Sequence, residues 1–201
     1  MISETIDGKI AKEGLREKKQ RETKLRIAET GLKLFCANGY EGTTLDSIAE
    51  EAGISRRTFF SYFKSKEEIL LTCQAGAWDA MRADLLTVSP DEAPLDAVRK
   101  TLVNHVSRYE SDQMMAIDRV MRASETLMAR KQAAYAMQEE AFYNTLCEVW
   151  RQPKRRPALR IVAMVSIGAM RLALEAWGKQ SGERAVVEFL EDAFANLKAE
   201  I

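Results

Sequence analysis

The sequence predicts an all-α protein, and three observations lead to that prediction. Apolar residues recur at helical spacing along most of the chain. The 201 residues include only four prolines and ten glycines, the residues that a helix interior tolerates least. The sequence also lacks a convincing segment of alternating apolar and polar residues, as a half-buried strand requires. We therefore expect nine helices, three in an N-terminal unit and six in a C-terminal one.

The predicted helices define three parts of the chain. We expect a flexible or partly helical arm over residues 1–21, an N-terminal domain over 22–65 and a C-terminal domain over 66–201. The first helix is expected at about 22–38, and two short helices fall within 43–66. The remaining six helices are expected at about 66–86, 94–109, 112–123, 125–150, 158–177 and 183–198.

The two short helices lie in the segment TTLDSIAEEAGISRRTFFSYFKSK, Thr43–Lys66. Thr43 and Asp46 are placed to form a capping box at the start of the first helix. Gly53 follows its last apolar residue, where a positive φ ends a helix at little cost. Ser55 is the expected N-cap of the second helix, and Ser65 begins a further capping box. Two helices joined by so tight a turn are typical of a helix-turn-helix.

The second short helix has two different faces. Phe59 and Phe63 lie on one side, and Arg56, Arg57, Thr58 and Ser61 lie on the others. The two arginines are either solvated residues at a helix start or groups that bind DNA. The helix dipole disfavours cations at that end, so we favour DNA binding, with this helix in the major groove.

Charge and cysteine content fit such a protein. The net charge is zero, but residues 1–66 hold 13 Lys/Arg against 10 Asp/Glu, which suits an N-terminal part that meets phosphate. Three widely spaced cysteines predict reduced thiols rather than a disulfide framework. The N-terminus lacks the apolar run of a signal peptide, and the run Ile161–Met170 is shorter than a membrane span needs. We expect a cytoplasmic protein without a membrane partner.

The helix predicted at about 158–177 is apolar on most of its circumference. Ile161, Val165, Gly168 and Leu172 share one face, and a second apolar face begins at Ala163. Such a helix must be covered on more than one side. One cover is the rest of its own domain, and a second copy of the chain is the expected other. The last two helices, 158–177 and 183–198, therefore predict a homodimer with a four-helix interface.

The segment Arg21–Leu70 closely resembles the DNA-binding domain of the TetR family of bacterial one-component transcriptional regulators. The resemblance rests on residues that agree in order and spacing without a gap: Phe35, Gly39-Tyr40, Thr43-Thr44, Ile48-Ala49, Ala52-Gly53-Ile54-Ser55, Thr58-Phe59, Tyr62-Phe63 and Lys66-Glu67. It implies three helices for DNA binding and six for ligand binding, with dimerisation through the last two. Beyond Leu70 the resemblance is only architectural.

The resemblance also implies DNA contacts. The expected DNA-binding residues are Thr43, Thr44, Ser55, Arg56, Arg57, Thr58, Ser61, Tyr62 and Lys66. Among them Thr43 or Thr44, Tyr62 and Lys66 would hold the phosphate backbone, and the exposed residues of the second helix would face base edges. One departure is Phe60, where the family usually has a tyrosine whose hydroxyl touches a phosphate.

The sequence indicates the effector-binding residues less specifically than the DNA-binding ones. Eight of the nine methionines and all three tryptophans lie beyond residue 77, and soft side chains suit a pocket for an apolar or amphipathic small molecule of unknown identity. For any single methionine, however, a place in the hydrophobic core is the more frequent role. The pocket candidates are Trp78, Met81, His105, Tyr109, Met121, Tyr135, Phe142, Met164 and Arg171. A ligand would move the fourth helix of each copy in the dimer. The second short helices of the two copies, which enter the DNA, would then no longer match successive major grooves about 34 Å apart.

Other classes of function fit less well. An enzyme needs a nucleophile, an acid–base pair or metal ligands at workable spacing, and the sequence contains no such constellation. We expect no catalytic residue, metal or cofactor. A helical small-molecule or lipid carrier would explain the methionine-rich half but not Thr43–Lys66. The sequence predicts a ligand-responsive regulator that binds a palindromic double-stranded DNA operator as a repressor, with an activator as the alternative.

Overall fold

The structure is a computed structural model that describes residues 14–180 and 184–200, and within these ranges it contains nine α-helices and no strand. The predicted all-α fold is confirmed, with a three-helix N-terminal helix-turn-helix unit followed by six helices. The helices are α1 (Leu15–Asn38), α2 (Leu45–Glu51), α3 (Arg56–Tyr62), α4 (Lys66–Leu85), α5 (Pro94–Val106), α6 (Ser111–Ala123), α7 (Glu125–Val149), α8 (Arg156–Trp177) and α9 (Val186–Glu200).

The helix bounds differ from the prediction mainly at α1. This helix begins at Leu15, seven residues before the predicted start at residue 22. Its first turns are exposed, so they carry no apolar stripe, and their Lys, Arg, Glu and Gln residues favour a helix by propensity alone. The rest of the predicted arm, residues 1–13, and the start of the last predicted helix at 183 lie outside the described residues.

The N-terminal helices share one apolar cluster, which we call the N-terminal core. Its central residues come from α1 to α4, and two more come from much later in the chain, Met121 of α6 and Leu127 of α7. The buried members are Ile27, Ala28, Phe35, Ile48, Ala49, Ala52, Phe59, Phe63, Ile69, Leu70, Met121 and Leu127. The α6–α7 corner of the C-terminal part thus contributes to the core that supports the helix-turn-helix, with α1 packed against α6.

The C-terminal helices form a second cluster, the C-terminal core. It is built from the second half of α4 together with α5, α7, α8 and α9. Trp78 lies near its centre and meets the rings of Tyr135 and Phe142 edge to face, with centroids 6.2 and 5.9 Å away. Trp150 closes one end, where its indole N–H donates to the Glu92 carbonyl at 3.2 Å.

Helix α4 belongs to both clusters. Ile69 and Leu70 lie in the N-terminal core, and Trp78, Met81 and Leu85 lie in the C-terminal core. Close packing against α1 holds its first half, since a methyl group at Gly31 would come within 2.9 Å of Ile69 Cγ2. A tilt of α4 must therefore change the packing of both clusters.

Helix α8 has one buried and one exposed apolar face, as its sequence indicates. Ala163, Ile167, Met170 and Trp177 are buried in the C-terminal core. Ile161, Met164 and Leu172 are more than half exposed. The segment Pro153–Trp177, a short 3₁₀ turn followed by α8, contains an 18-residue stretch with a mean hydropathy of 1.6 and is by length and composition sufficient to cross a membrane. The run Ile161–Met170 underestimates the length of the apolar segment, because Arg171 interrupts the run but not the helix.

Candidate DNA-binding site

Helix α2 begins one residue later than the sequence predicts. Its N-cap is Thr44, whose hydroxyl accepts from the Ser47 amide at 3.0 Å, while the Ser47 hydroxyl accepts from the Thr44 amide at 3.1 Å. The predicted cap, Thr43, is instead buried and its hydroxyl lies 2.8 Å from the Gly39 carbonyl and 3.1 Å from that of Leu34. Thr43 thus ties α2 to the end of α1, and the exposed threonine at the helix start is Thr44.

The turn between α2 and α3 has the predicted geometry. Gly53 adopts a φ of +66°, and its amide donates to the Glu50 carbonyl at 3.0 Å. Ser55 is the N-cap of α3, accepting from the Thr58 amide at 3.1 Å, and the two hydroxyls lie 2.8 Å apart. These contacts set the direction in which α3 leaves the turn.

Replacing Gly53 tests whether its backbone conformation matters more than its size. A Cβ there meets no atom within 4 Å, so Gly53→Ala adds only the left-handed penalty, about 1 kcal/mol of unfolding free energy. Gly53→Asn is the matched control, because asparagine tolerates this region better. Urea unfolding measures both. Equal losses for Ala and Asn would show that the conformation at Gly53 is not the cause.

Helix α3 presents a polar face above an apolar base. Phe59 and Phe63 are fully buried in the N-terminal core. The exposed residues of this segment are Ser55, Arg56, Arg57, Thr58, Phe60 and Ser61. Since Phe59 and Phe63 are fixed in the N-terminal core, the helix that carries the polar side chains is rigid, as the recognition of DNA bases requires.

The two arginines of α3 differ in their surroundings. Arg56 pairs with Asp46 of α2 at 3.2 Å and lies over the Phe60 ring at 5.5 Å. Both partners of the ion pair are mostly exposed, so the pair contributes little and is open to exchange. Arg57 forms no ion pair within the described part of the chain. Asp46, predicted to cap α2, therefore pairs with the first arginine of α3 instead.

Lys66, the first residue of α4, has a second role that the sequence does not show. Its ammonium donates to the Tyr40 carbonyl at 2.6 Å and lies 4.3 Å above the Tyr40 ring. The predicted cap of α4 is confirmed, with Ser65 accepting from the Glu68 amide at 3.3 Å. Tyr62, the other expected phosphate contact on this side, is half-buried. Lys66 therefore also holds the α1–α2 loop.

Helix α1 buttresses the turn through contacts that sequence patterns do not reveal. Arg26 donates to the Ala52 carbonyl at 3.0 Å. This hydrogen bond satisfies a carbonyl at the C-terminal end of α2 that has no partner within the helix. The Lys24 ammonium lies 5.3 Å from the Phe63 ring centroid, at the end of α3. Helical spacing identifies the buried face of α1, but not which exposed cations reach the neighbouring turn.

The effector-pocket candidates do not meet at one place. Trp78 contacts both Tyr135 and Phe142 in the C-terminal core, with Met81 buried in the same cluster. Met121 lies in the N-terminal core, and Met164 is on the exposed face of α8.

Of the three other candidates, His105 is buried, Arg171 is half-buried and Tyr109 is exposed. Burial lowers the pKa of His105, whose Nδ1 has no hydrogen-bond partner within the described residues. Its ring lies in a tilted arrangement 5.3 Å from the ring of Tyr109, which is 40% exposed. Arg171 pairs with Glu175 at 2.9 Å. Among the described residues no group of three His, Cys, Asp or Glu side chains is placed to hold a metal ion.

Comparison with known proteins identifies the N-terminal unit. Residues 27–73 match the family model described as bacterial regulatory proteins, tetR family. The regulator TtgW of Pseudomonas putida, itself uncharacterised, is 30% identical over 97 residues, which is 48% of this chain and 72% of TtgW. The chain belongs to the TetR family. The TetR family model ends within α4, so it covers α2, α3 and the parts of α1 and α4 that pack on them.

Other relatives of this TetR-family protein match about half of its chain or less. The transcriptional regulator TcmR of Streptomyces glaucescens is 36% identical over 105 residues, 52% of this chain and 46% of TcmR. The chain thus spans less than half the length of the first curated relatives it matches.

Solved structures extend the likeness to the whole fold. A regulator from Aquifex aeolicus superposes with a TM-score of 0.57 at 23% identity, covering 89% of this chain and 99% of that one. Thermus thermophilus FadR, solved with lauroyl-CoA, superposes with a TM-score of 0.55 at 24% identity, covering 87% and 93%. At such identities the likeness establishes the fold alone. The TetR-family fold therefore extends to the C-terminal half of this protein.

Proposed function

We propose that this regulator is a repressor that binds a palindromic operator as a homodimer and is released by a small apolar or amphipathic effector. The observation that carries the DNA-binding part is α3, whose exposed Arg57, Thr58 and Ser61 stand on the buried Phe59 and Phe63. A regulator with this surface acts where the chromosome is, in the cytoplasm.

The proposed dimer rests on the exposed face of α8. Ile161, Met164, Gly168 and Leu172 recur at helical spacing along one stripe, and a Cβ on Gly168 would meet no atom within 4 Å. Glycine in mid-helix is costly and is not required there by packing within the chain. Close approach of the partner's α8 at this point would explain why the position is glycine. Two copies joined at α8 and α9 would present two α3 helices to successive turns of DNA.

The proposed effector domain is supported by the relatives and by α4. The FadR proteins of Thermus thermophilus and Bacillus subtilis were solved with lauroyl-CoA and stearoyl-CoA, respectively, so this fold accommodates amphipathic ligands. In this chain α4 lies in both cores. A ligand that shifts the C-terminal half of α4 shifts its DNA-proximal half as well. Release follows if the ligand prefers the state that does not bind DNA.

The first experiment selects operators from genomic fragments of the source organism and measures binding by gel shift at several salt concentrations. We expect a palindromic sequence to be enriched and bound far more tightly than random DNA. Failure of the protein to enrich or shift any sequence would defeat the proposal. A reporter with the operator upstream of a promoter separates a repressor from an activator by the sign of the change.

Arg57→Ala tests whether α3 selects bases. A guanidinium that bonds a guanine contributes about 1–3 kcal/mol of discrimination, so the variant should lose about that much preference for the operator over random DNA. Lys66→Ala should weaken binding to both DNAs alike and reduce the salt dependence. Since Lys66 also bonds Tyr40, a melting curve of each variant must accompany the gel shifts. Equal losses on all sequences for both variants would contradict this division.

A further inference from the structure

A cluster of charged side chains lies where α6, α7 and the end of α8 meet. Asp118 of α6 is buried, and its carboxylate accepts from Arg122 Nε at 2.5 Å. The Lys131 ammonium of α7 lies 3.5 Å from the other carboxylate oxygen. The Lys131 side chain is only 15% exposed. Two cations thus share one buried carboxylate, which leaves the cluster with a net charge of +1.

The neighbouring charges do not remove that excess. Arg171 and Glu175 of α8 pair with each other at 2.9 Å. Glu175, Arg171, Asp118 and Arg122 all act on the nearby Tyr135, whose pKa burial raises to about 12. A partly buried cation without a full counter-ion is costly. A cluster of this kind is suited to receive one further negative charge.

The end of α8 forms the third wall of the cluster. Gly178 lies so close to Arg122 and Asp118 that a Cβ there would overlap both side chains. Trp177, one residue earlier, is 2% exposed, and its indole N–H has no acceptor within the described residues. An unpaired buried donor of this kind is uncommon in folded proteins. The end of α8 therefore lies against Asp118 and Arg122, and the charges of this cluster act on Tyr135.

Tyr135 connects the charged cluster to apolar surroundings. Its ring is 7% exposed and packs against Trp78 in the C-terminal core. Beyond Trp78 lies Phe142, with ring centroids 5.9 Å apart. A ligand with its acidic group at Arg122 and Lys131 would have apolar side chains along the direction of Tyr135.

We propose that Arg122 and Lys131 form the acid-binding end of the effector site, and that the effector is a carboxylic acid with an apolar chain. This inference rests on the proposed effector-binding function of the C-terminal domain. The ligand carboxylate completes the cluster as a second anion beside Asp118. Because Arg122 lies on α6 one residue from Met121, which is buried in the N-terminal core, a ligand held there bears directly on the helix-turn-helix.

Isothermal titration calorimetry of the full-length protein without DNA tests the proposal, with sodium decanoate as the acid probe and 1-decanol as its uncharged match. A charge-assisted hydrogen bond predicts about tenfold tighter binding of decanoate than of the alcohol. Lys131→Met should abolish that preference, and Lys131→Arg should keep it. Lys154→Met, at an exposed lysine, should leave both affinities unchanged. Equal affinities for the two probes, or no binding of either, would overturn the proposal.

Melting temperatures distinguish a ligand site from a structural ion pair. If Lys131 is an excess cation kept for a ligand, Lys131→Met leaves the melting temperature unchanged or raises it, while Asp118→Asn lowers it by leaving two cations unpaired. A comparable fall for both variants would show that Lys131 is only a structural partner of Asp118 and would refute the inference. Because neither assay contains DNA, failure here leaves the operator-binding proposal standing, and failure of the gel shifts leaves this result standing.

Discussion

Met121→Ala is expected to destabilise the helix-turn-helix, although Met121 lies in α6, about 60 residues or more from α2 and α3 along the chain. Met121 is 5% exposed and lies in the N-terminal core. Truncating a buried methionine to alanine costs about 2–5 kcal/mol of unfolding free energy. Urea unfolding followed by circular dichroism measures the loss, and amide hydrogen exchange in α2 and α3 shows where it falls.

Met137→Ala is the matched control, because Met137 is 72% exposed on the neighbouring α7. A surface truncation of this kind changes stability by about 0.5 kcal/mol or less. Operator affinity of Met121→Ala should fall together with the exchange protection of α2 and α3. If exchange in these helices stays unchanged while α6 loosens, Met121 is not part of the support of the DNA-binding unit.

Ile161→Asp is expected to separate the proposed dimer into monomers. The side chain is 56% exposed in the single chain and would be covered by the partner's α8. Burying an unpaired carboxylate costs several kcal/mol, and twofold symmetry places two of them in each dimer. The dimer dissociation constant should therefore rise at least about a hundredfold, as measured by analytical ultracentrifugation over a range of concentrations.

Operator affinity should fall with the loss of the dimer, since one α3 then contacts only one half-site. Met137→Asp introduces the same charge at an exposed position off this face and should leave both the dimer and the operator affinity unchanged. A wild-type protein that is monomeric at micromolar concentration, or an Ile161→Asp variant that remains dimeric, would contradict α8 as the interface.

The sequence predicts the features that local physical chemistry determines. Helical spacing, the scarcity of proline and the caps at Ser55 and Ser65 are sufficient for the fold class and for the start of α3 and α4. The positive φ of Gly53 follows from its place after the last apolar residue of α2. These features depend on neighbours within about four residues, which sequence patterns describe well.

Contacts between distant segments could not be predicted in the same way. Thr43 and Thr44 are both acceptable caps in sequence, and only the carbonyls of Leu34 and Gly39 decide that Thr43 faces inward. Periodicity marks Met121 as apolar and inward, but not which of two cores it enters. For the same reason composition alone groups the pocket candidates, whereas the structure places them in both cores and on the protein surface.

The continuity of α4 through both cores limits how such a protein can be recombined. A designer who exchanges DNA-binding modules between regulators by joining chains at residue 65 would separate α1–α3 from Ile69 and Leu70, which complete their core. The new module would also meet an α6–α7 corner shaped for the old one. The transferable module is thus discontinuous: it includes the first half of α4 and the side chains at positions 121 and 127.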